Sequence, residues 1–425
     1  MAKKDVKGPS ENAALMARLR AAIGKQTGMK PLQPGTHSYG YVSTGSFNVD
    51  MLIGGTKTLD GKGLICPGFP RRRITEVYGA ESSGKTTLLI SAMVQAQRAG
   101  GRAMLVDYEH SIDLAYAQKI GLSLDDDKMQ VYQPDNMEAG FFAMYLGIMA
   151  GVDIIGVDSV AAMVPKSELE KDFDESAKIG AVAAKFSREL PKFVAWLNKF
   201  PVLGGSERPL ERRSDPNHPG TALVFVNQTR AVIQTGYAGG GGGDTENTSG
   251  GKALKFYAYE RLRLARIKSE TIEKVDAFSG KRKRYQYGNV TDVKVVKSKI
   301  DAKQGHSTQI FIRFGTGIDD YYSVIETGCA QKVIQKSGAM YKLGDQQFRG
   351  REQLRKFLLE NDSVFQAMRA KLAQMVNEGA VTDDADESEL RVMEGLDLTS
   401  EEDDEVESVA EVAAEELQED ASAAE

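Results

Sequence analysis

Cysteine is nearly absent from the chain: among 425 residues there are only Cys66 and Cys329. Two thiols cannot build a disulfide framework, which excludes the stapled domains of secreted proteins and points to a reducing compartment. Long apolar runs are also missing. The most hydrophobic stretch, Leu146 to Pro165, is interrupted by Asp153 and Asp158 and is too polar to span a bilayer. The opening MAKKDVKGPSENAALMARLRAAIG carries no apolar signal region, so the expected location is cytoplasmic, with no membrane partner. No internal repeat occurs. Membrane, secreted and fibrous classes fall away, and a chain of this length is expected to form two or three folding units.

The net charge of −6 conceals an asymmetry. From Asp383 to Glu425 there are 19 acidic residues against one basic residue, Arg391, a net of −18. The 53 basic and 41 acidic residues before that block give a body of +12. A basic body predicts a polyanionic partner, and a solvated acidic block can compete with that partner for the same surface. The other reading of the block is solubility alone.

Residues 1–38 hold one amphipathic segment, Asn12 to Ile23, with Leu15, Leu19 and Ile23 spaced four apart. It predicts a helix whose apolar stripe packs on the body or on a neighbouring molecule. From residue 39 to 325, β-branched runs at Arg73–Tyr78, Ala103–Asp107, Asp153–Asp158 and Ala222–Asn227 alternate with helical stretches. That alternation predicts an α/β fold with a mostly parallel sheet covered by helices on both faces. Runs at Tyr259–Ile267, Val290–Lys299 and Thr308–Phe314 stand closer together and predict an antiparallel extension. Residues 326–381 read as a small C-terminal helical domain and 382–425 as a disordered acidic tail. Residues 204–220 and the Gly239–Gly243 run read as loops.

The most specific signal is Gly79-Ala80-Glu81-Ser82-Ser83-Gly84-Lys85-Thr86-Thr87, which follows one predicted strand and opens a predicted helix. Glycines let backbone N–H groups curl around a phosphate, and the helix N-terminus adds its positive end. Lys85 would bridge the β- and γ-phosphates, and the Thr86 hydroxyl would ligate Mg²⁺. Asp158 ends an apolar strand at the ligand edge, where it either holds the Mg²⁺ shell or caps the next helical turn. A hydrolase also needs a base to orient or deprotonate water. Glu109, in Asp107-Tyr-Glu-His-Ser-Ile-Asp, is the candidate; Asp107 and Asp113 are rivals that the pattern does not separate.

Seven ordered segments over about residues 40–340 resemble the RecA recombinases: Ser43-Thr-Gly-Ser, the phosphate loop, Asp107-Tyr-Glu-His-Ser-Ile-Asp, Val157-Asp-Ser-Val-Ala-Ala, Asn227-Gln-Thr-Arg, Gly250-Gly-Lys-Ala-Leu-Lys-Phe-Tyr and Lys294-Val-Val-Lys-Ser-Lys-Ile. The resemblance implies a RecA-like P-loop ATPase core that uses ATP and Mg²⁺. It implies a DNA-dependent ATPase that forms a helical homo-oligomeric filament on single-stranded DNA, pairs it with homologous double-stranded DNA and exchanges strands in recombination and repair. By the same resemblance Glu109 is the catalytic glutamate. Asp113 and Tyr116 join the nucleotide site, Tyr116 as the aromatic stacked on adenine. Gln228 senses the γ-phosphate and relays its presence to a DNA loop.

Lys297 and Lys299, two apart on one predicted strand, share a face. The resemblance implies that they reach the neighbouring subunit's ATP, whereas the string alone reads as a solvated basic face. Glu168–Ile179 and Thr229–Ser249 correspond to two DNA loops, with Ile179 and Val232 or Ile233 as apolar wedges between bases. Arg230, Lys185 and Arg188 are the expected phosphate contacts, and Gly250, Gly251 and Lys252 stand at the second loop's exit. Contacts of this kind predict salt-sensitive, sequence-neutral binding.

Ala80 stands where the family pattern has proline, and the Asp60–Pro70, 204–220 and 239–243 connections run longer than that pattern. The N-terminal helix and the region after residue 340 match loosely; their implied roles are polymerisation and duplex capture, and the acidic tail is expected to oppose duplex binding. A closed hexameric motor and a non-enzymatic single-strand coat are the alternatives. The lysine pair and N-terminal helix favour an open filament over the motor, and the complete catalytic set has no purpose in a coat.

Overall fold

The computed structural model describes residues 11–27, 40–54, 67–171, 180–198, 219–230, 247–276, 280–299 and 304–378. The chain opens with α1 (Glu11–Thr27), β1 (Tyr41–Val42), α2 (Phe47–Ile53), β2 (Phe69–Pro70) and β3 (Ile74–Gly79). Next come α3 (Lys85–Arg98), β4 (Ala103–Asp107), α4 (Leu114–Ile120), β5 (Met129–Tyr132), α5 (Met137–Met149) and β6 (Ile154–Asp158). The short α6 (Lys166–Leu169) precedes α7 (Ala181–Asn198), β7 (Ala222–Arg230), β8 (Asn247–Thr248) and α8 (Gly251–Tyr257). Then follow β9 (Glu260–Val275), β10 (Arg282–Ser298), β11 (Ser307–Arg313), β12 (Gly317–Ile318) and α9 (Asp320–Ala330). The last elements are β13 (Gln335–Ser337), β14 (Met340–Leu343), β15 (Gln346–Arg349), α10 (Arg351–Glu360) and α11 (Asp362–Glu378).

One sheet runs in the order β12-β11-β10-β9-β3-β7-β6-β4-β5, with β8 paired to the end of β7. The six strands from β9 to β5 are parallel, and β10, β11 and β12 add the antiparallel extension. Every residue of β3, β4 and β6 is buried, because helices cover both faces; hence the apolar runs of β4 and β6, which β3 interrupts with Thr75 and Glu76. Leu88, Leu89 and Met93 of α3 pack on Val77, Val224 and Leu262 on one face. On the other, Phe141 of α5 meets Phe186 and Phe193 of α7 edge-on, with ring centroids 5.6 and 5.4 Å apart.

The Ser43-Thr-Gly-Ser segment has a local physical purpose. Buried Asp50 accepts hydrogen bonds from the Ser43 hydroxyl (2.5 Å), the Thr44 backbone N–H (2.8 Å) and the Thr44 hydroxyl (2.7 Å), while Ser46 caps α2. Burial, only partly offset by these bonds, pushes the Asp50 pKa up to about 7.

The structure differs from expectation in two places. β9 and β10 continue to Val275 and from Arg282, forming a long hairpin across a stretch where no strand is expected. Its outer half alternates charges with scattered apolar residues, so it shows no apolar face to read. The C-terminal unit is also more than helices: β13, β14 and β15 form a three-stranded antiparallel sheet of three- and four-residue strands, too short for a periodic signal. Its core joins Val324 and Ile325 of α9 to Leu354, Leu358 and Leu372, with Phe47 of α2. α9 runs through the expected boundary at residue 325. The acidic tail, the Gly239–Gly243 run and residues 204–218 lie outside the described residues. Among the described residues no helix is long and apolar enough to cross a membrane.

Glu260 opens β9 beside Thr75 of β3, on the face it shares with Leu262 and Leu264. It is 1% exposed and neither carboxylate oxygen has a hydrogen-bond partner. Burial pushes its pKa well above the ordinary 4.5. The unfolded chain therefore ionises first, and the penalty is absent below pH 4.5, grows as pH rises, and levels off once the folded group ionises. Glu260→Met should stabilise the protein by about 1–3 kcal/mol near pH 8 and by less near pH 5, read from denaturant midpoints. Equal gains at both pH values would contradict a buried acid.

Candidate functional site

Strand register assembles the site. Gly79 at the end of β3 lies beside Gln228 of β7, and Asp107 at the end of β4 lies beside Asp158 of β6. Four parallel strands thus deliver their carboxyl ends to one edge. Between β3 and α3 the chain turns through the phosphate loop. A Cβ at Gly79 would sit 2.1 Å from the Leu264 carbonyl oxygen, and Gly84 combines φ of +93° with 2.1 Å to the Ile312 methyl, so neither position tolerates a side chain.

Within the loop Lys85 is 7% exposed and its ammonium donates to the Ala80 carbonyl at 2.7 Å. Burial lowers its pKa, against the pull of Asp158, Glu109 and Glu81. Glu81 and Ser82 are exposed, whereas the Ser83 hydroxyl is buried without a partner, a donor aimed at nothing in the chain itself. The Thr86 hydroxyl donates to Asp158 Oδ2 at 2.5 Å, with Thr87 half-buried beside it. Burial raises the Asp158 pKa to about 6, with the Thr86 hydrogen bond acting in the other direction. Ser159, rather than Asp158, precedes the helical turn Val160–Ala162. The Thr86–Asp158 pair is an oxygen-only donor set, which suits a hard divalent cation that keeps most of its water and phosphate ligands.

Glu109 sits at the same edge. One of its oxygens accepts from the Ser159 hydroxyl and from Gln228 Nε2, the latter at 2.9 Å. Its rivals are occupied otherwise. Asp107 is buried and braces the loop by accepting from Glu109 N, Ile112 N and Gln133 Nε2. Asp113 caps α4 through Tyr116 N at 2.9 Å, which leaves Tyr116 half-buried on that helix.

A buried polar chain runs behind these groups. Arg261 Nε donates to Glu76 at 2.6 Å, Asn227 Nδ2 donates to Glu76 at 2.9 Å and to the Ser249 carbonyl at 2.8 Å, and Gln228 N donates to Asn227 Oδ1 at 2.9 Å. Sequence reasoning passed over Ser159, Glu76 and Arg261. A serine directly after a strand-end carboxylate marks the first and a charge inside a wholly buried strand marks Glu76, whereas Arg261 shares its strand with Arg263 and Arg266 and nothing in the string sets it apart.

Lys297 lies elsewhere. Its register partner is Arg261, in line with Glu76 and three residues short of the phosphate loop. Its ammonium donates to the Lys255 and Phe256 carbonyls at 2.7 and 2.9 Å, at the end of α8, on the sheet face opposite α3. Burial, then Lys299, lowers its pKa to about 8. Lys299 is exposed just past the end of β10, and Phe256 beside the pair is 70% exposed.

Of the expected DNA contacts, Ile179, Val232 and Ile233 lie outside the described residues. Lys185 is ion-paired with Glu138 at 2.8 Å and only 15% exposed, while the 66% exposed Arg188 pairs with Glu189 at 3.0 Å. Arg230 ends β7, Gly250 and Gly251 start α8, and Lys252 is exposed.

A family model described as the RecA N-terminal domain matches residues 13–203 and 213–319, and one described as the RecA C-terminal domain matches 322–377. The chain is 36% identical over 368 residues to Protein RecA of Nocardia farcinica, covering 86% of this chain and 92% of that one. It is 36% identical over 372 residues to Protein RecA of Salinispora tropica, covering 87% and 93%. A crystal structure of the RadB recombinase superposes with a TM-score of 0.42 at 17% identity, covering 66% of this chain and 99% of that one.

Asp158 must be ionised to hold a cation beside Thr86, so its pKa of about 6 sets a testable limit. Magnesium-dependent affinity for a fluorescent ATP analogue should fall as pH drops from 8 through about 6. Asp158→Asn should bind weakly with no such step. A flat wild-type profile would exclude Asp158 from the metal shell.

Proposed function

The chain belongs to the RecA family, and from that premise we propose how its own residues perform the work of a recombinase in homologous recombination and repair. Family membership makes it a DNA-dependent ATPase. The phosphates of ATP would lie against the N–H groups of residues 79–87, with Lys85 and the Ser83 hydroxyl turning from their present environment toward them. Thr86 and Asp158 would hold Mg²⁺, which when bound neutralises charge on the transferring phosphoryl group. Glu109 orients the attacking water and accepts its proton; Ser159 and Gln228, both bonded to one of its oxygens, leave the other to do so. Tyr116 would stack on the base.

The observation that carries the reading is the Gln228–Glu109 bond. Gln228 touches the base and immediately precedes the stretch Thr229–Ser249, while its neighbour Asn227 holds the Ser249 carbonyl at the far end of that stretch. Both ends of the proposed DNA loop are thus tied to the group that handles water. DNA held by the loop fixes Gln228, and Gln228 fixes Glu109.

The placement of the lysines supports assembly into a filament. Lys297 is anchored to α8, away from the phosphate loop of its own chain, so the cations it and Lys299 offer would reach the nucleotide of a second copy. Exposed Phe256 beside them, the exposed Met16, Leu19 and Ile23 of α1, and Phe142 and Leu146 of α5 supply apolar surface for that contact.

The direct test is ATP hydrolysis with and without single-stranded DNA, run beside homologous strand exchange. Stimulated hydrolysis with exchanged product is expected. Stimulation with unwinding but no exchange would instead describe a motor, and no hydrolysis a coat. Glu109→Gln should bind ATP and assemble on DNA yet hydrolyse about 10²–10⁴-fold more slowly; undiminished turnover would remove Glu109 as the base.

A further inference from the structure

The β9–β10 hairpin projects from the sheet on the same edge as the phosphate loop. Leu264 pairs with Gly79, so the eleven residues that follow it, to Val275, carry it about 36 Å beyond that edge when extended. Its root is braced by the C-terminal unit, where Arg351 lies 4.0 Å from Glu270 and 3.2 Å from Glu326. Past Glu270 both strands are exposed on both faces until Asp276, which closes the end by accepting from Gly280 N and donating its own N–H to Lys281.

Register divides the side chains of this ribbon. On one face Ile272 stands opposite Tyr285, and Lys274 opposite Lys283; on the other Glu273 stands opposite Arg284, and Val275 opposite Arg282. Cations therefore emerge from both faces. Residues 271–286 hold five basic and two acidic residues, a net of +3. Lys283 pairs with Asp276 and Arg284 with Glu273 at 3.3 Å, the latter an exposed pair of little worth. Like charges set directly opposite, as at Lys274 and Lys283, oppose strand pairing. Ile272, Val275 and Tyr285 are 44, 65 and 40% exposed, so no core pattern accounts for the ribbon's composition.

We propose that the ribbon beyond Glu270 is a duplex-DNA contact that enters the major groove, with Lys274 and Lys283 meeting one phosphate wall and Arg282 and Arg284 the other. A bare two-stranded ribbon is of the size that groove admits, and cations on both faces match its two walls. A single strand offers only one backbone and would use one face. The inference rests on the recombinase reading, which supplies the duplex.

The test uses the full chain carrying Lys274→Gln, Arg282→Gln, Lys283→Gln and Arg284→Gln together, with a charge-keeping control of K274R, R282K, K283R and R284K. Binding of labelled duplex and single strand is titrated against salt. In the Gln variant, duplex affinity at low salt should fall about tenfold or more, and the slope of log affinity on log salt should become shallower by about 2–4. The control should bind as wild type, and single-strand binding and single-strand-stimulated ATP turnover should stay unchanged. Unaltered duplex affinity and slope would overturn the proposal, as would an equal loss on single strands. So would a defect that vanishes when residues 383–425 are deleted, because the ribbon's partner would then be the chain's own acidic tail. A wild-type protein with no single-strand-stimulated hydrolysis would instead sink the recombinase reading, whatever the ribbon does.

Discussion

Parallel pairing of β3, β7, β6 and β4 in one register is the constraint on which the site depends. A parallel ladder sends every carboxyl end the same way, so the phosphate loop, Gln228, Asp158 and the Asp107–Glu109 turn arrive at a common edge without any long-range side-chain interaction to bring them there. The ladder is held by apolar helices on both faces, and a shift of one residue would turn Val77, Val157 and Val224 toward the wrong core.

Charges placed at that edge are costly by burial and stabilised by one another. Lys85 is pushed toward losing its proton and Asp158 toward gaining one, which leaves the site strained toward neutrality. A magnesium nucleotide held there would bring the missing opposite charges and relieve both groups together. The buried line Arg261–Glu76–Asn227 does comparable work deeper in the sheet: it satisfies the polar groups beneath Gln228 and holds the far end of the Thr229–Ser249 stretch. Removing Arg261 or Glu76 would leave the other as an unpaired buried charge, a cost of about 3–5 kcal/mol.

Much of this was legible in the residues. The phosphate loop is contiguous in the chain, its glycines dictated by contacts with Leu264 of the adjacent β9 and with Ile312 of β11. Strands β4, β6 and β7 show because burial on both faces leaves apolar runs. What escaped is non-local or weakly periodic. Glu109, Asp107 and Asp113 look alike in a string; only packing shows that two of them brace backbone while the third holds a hydroxyl and an amide. The outer β9–β10 hairpin lacks an apolar face, and the strands of the small sheet β13–β15 are too short for a period to reveal them, although Tyr341 and Leu343 of β14 are buried. Buried Glu260 at the start of a strand is indistinguishable in sequence from a surface residue. Lys297 reads as a plain basic strand until register sets it apart from its own phosphate loop.

In the proposed filament, one copy's Glu109 would work with another copy's Lys297 and Lys299. Glu109→Gln and Lys297→Ala should each be nearly inactive alone. Mixed before single-stranded DNA is added, they should recover ATP hydrolysis, because an intact Glu109 then meets an intact Lys297 at some interfaces. Recovery that depends on total protein concentration is the predicted result. A mixture no more active than the sum of its parts, with mixed assemblies demonstrated by labelling, would contradict a shared site.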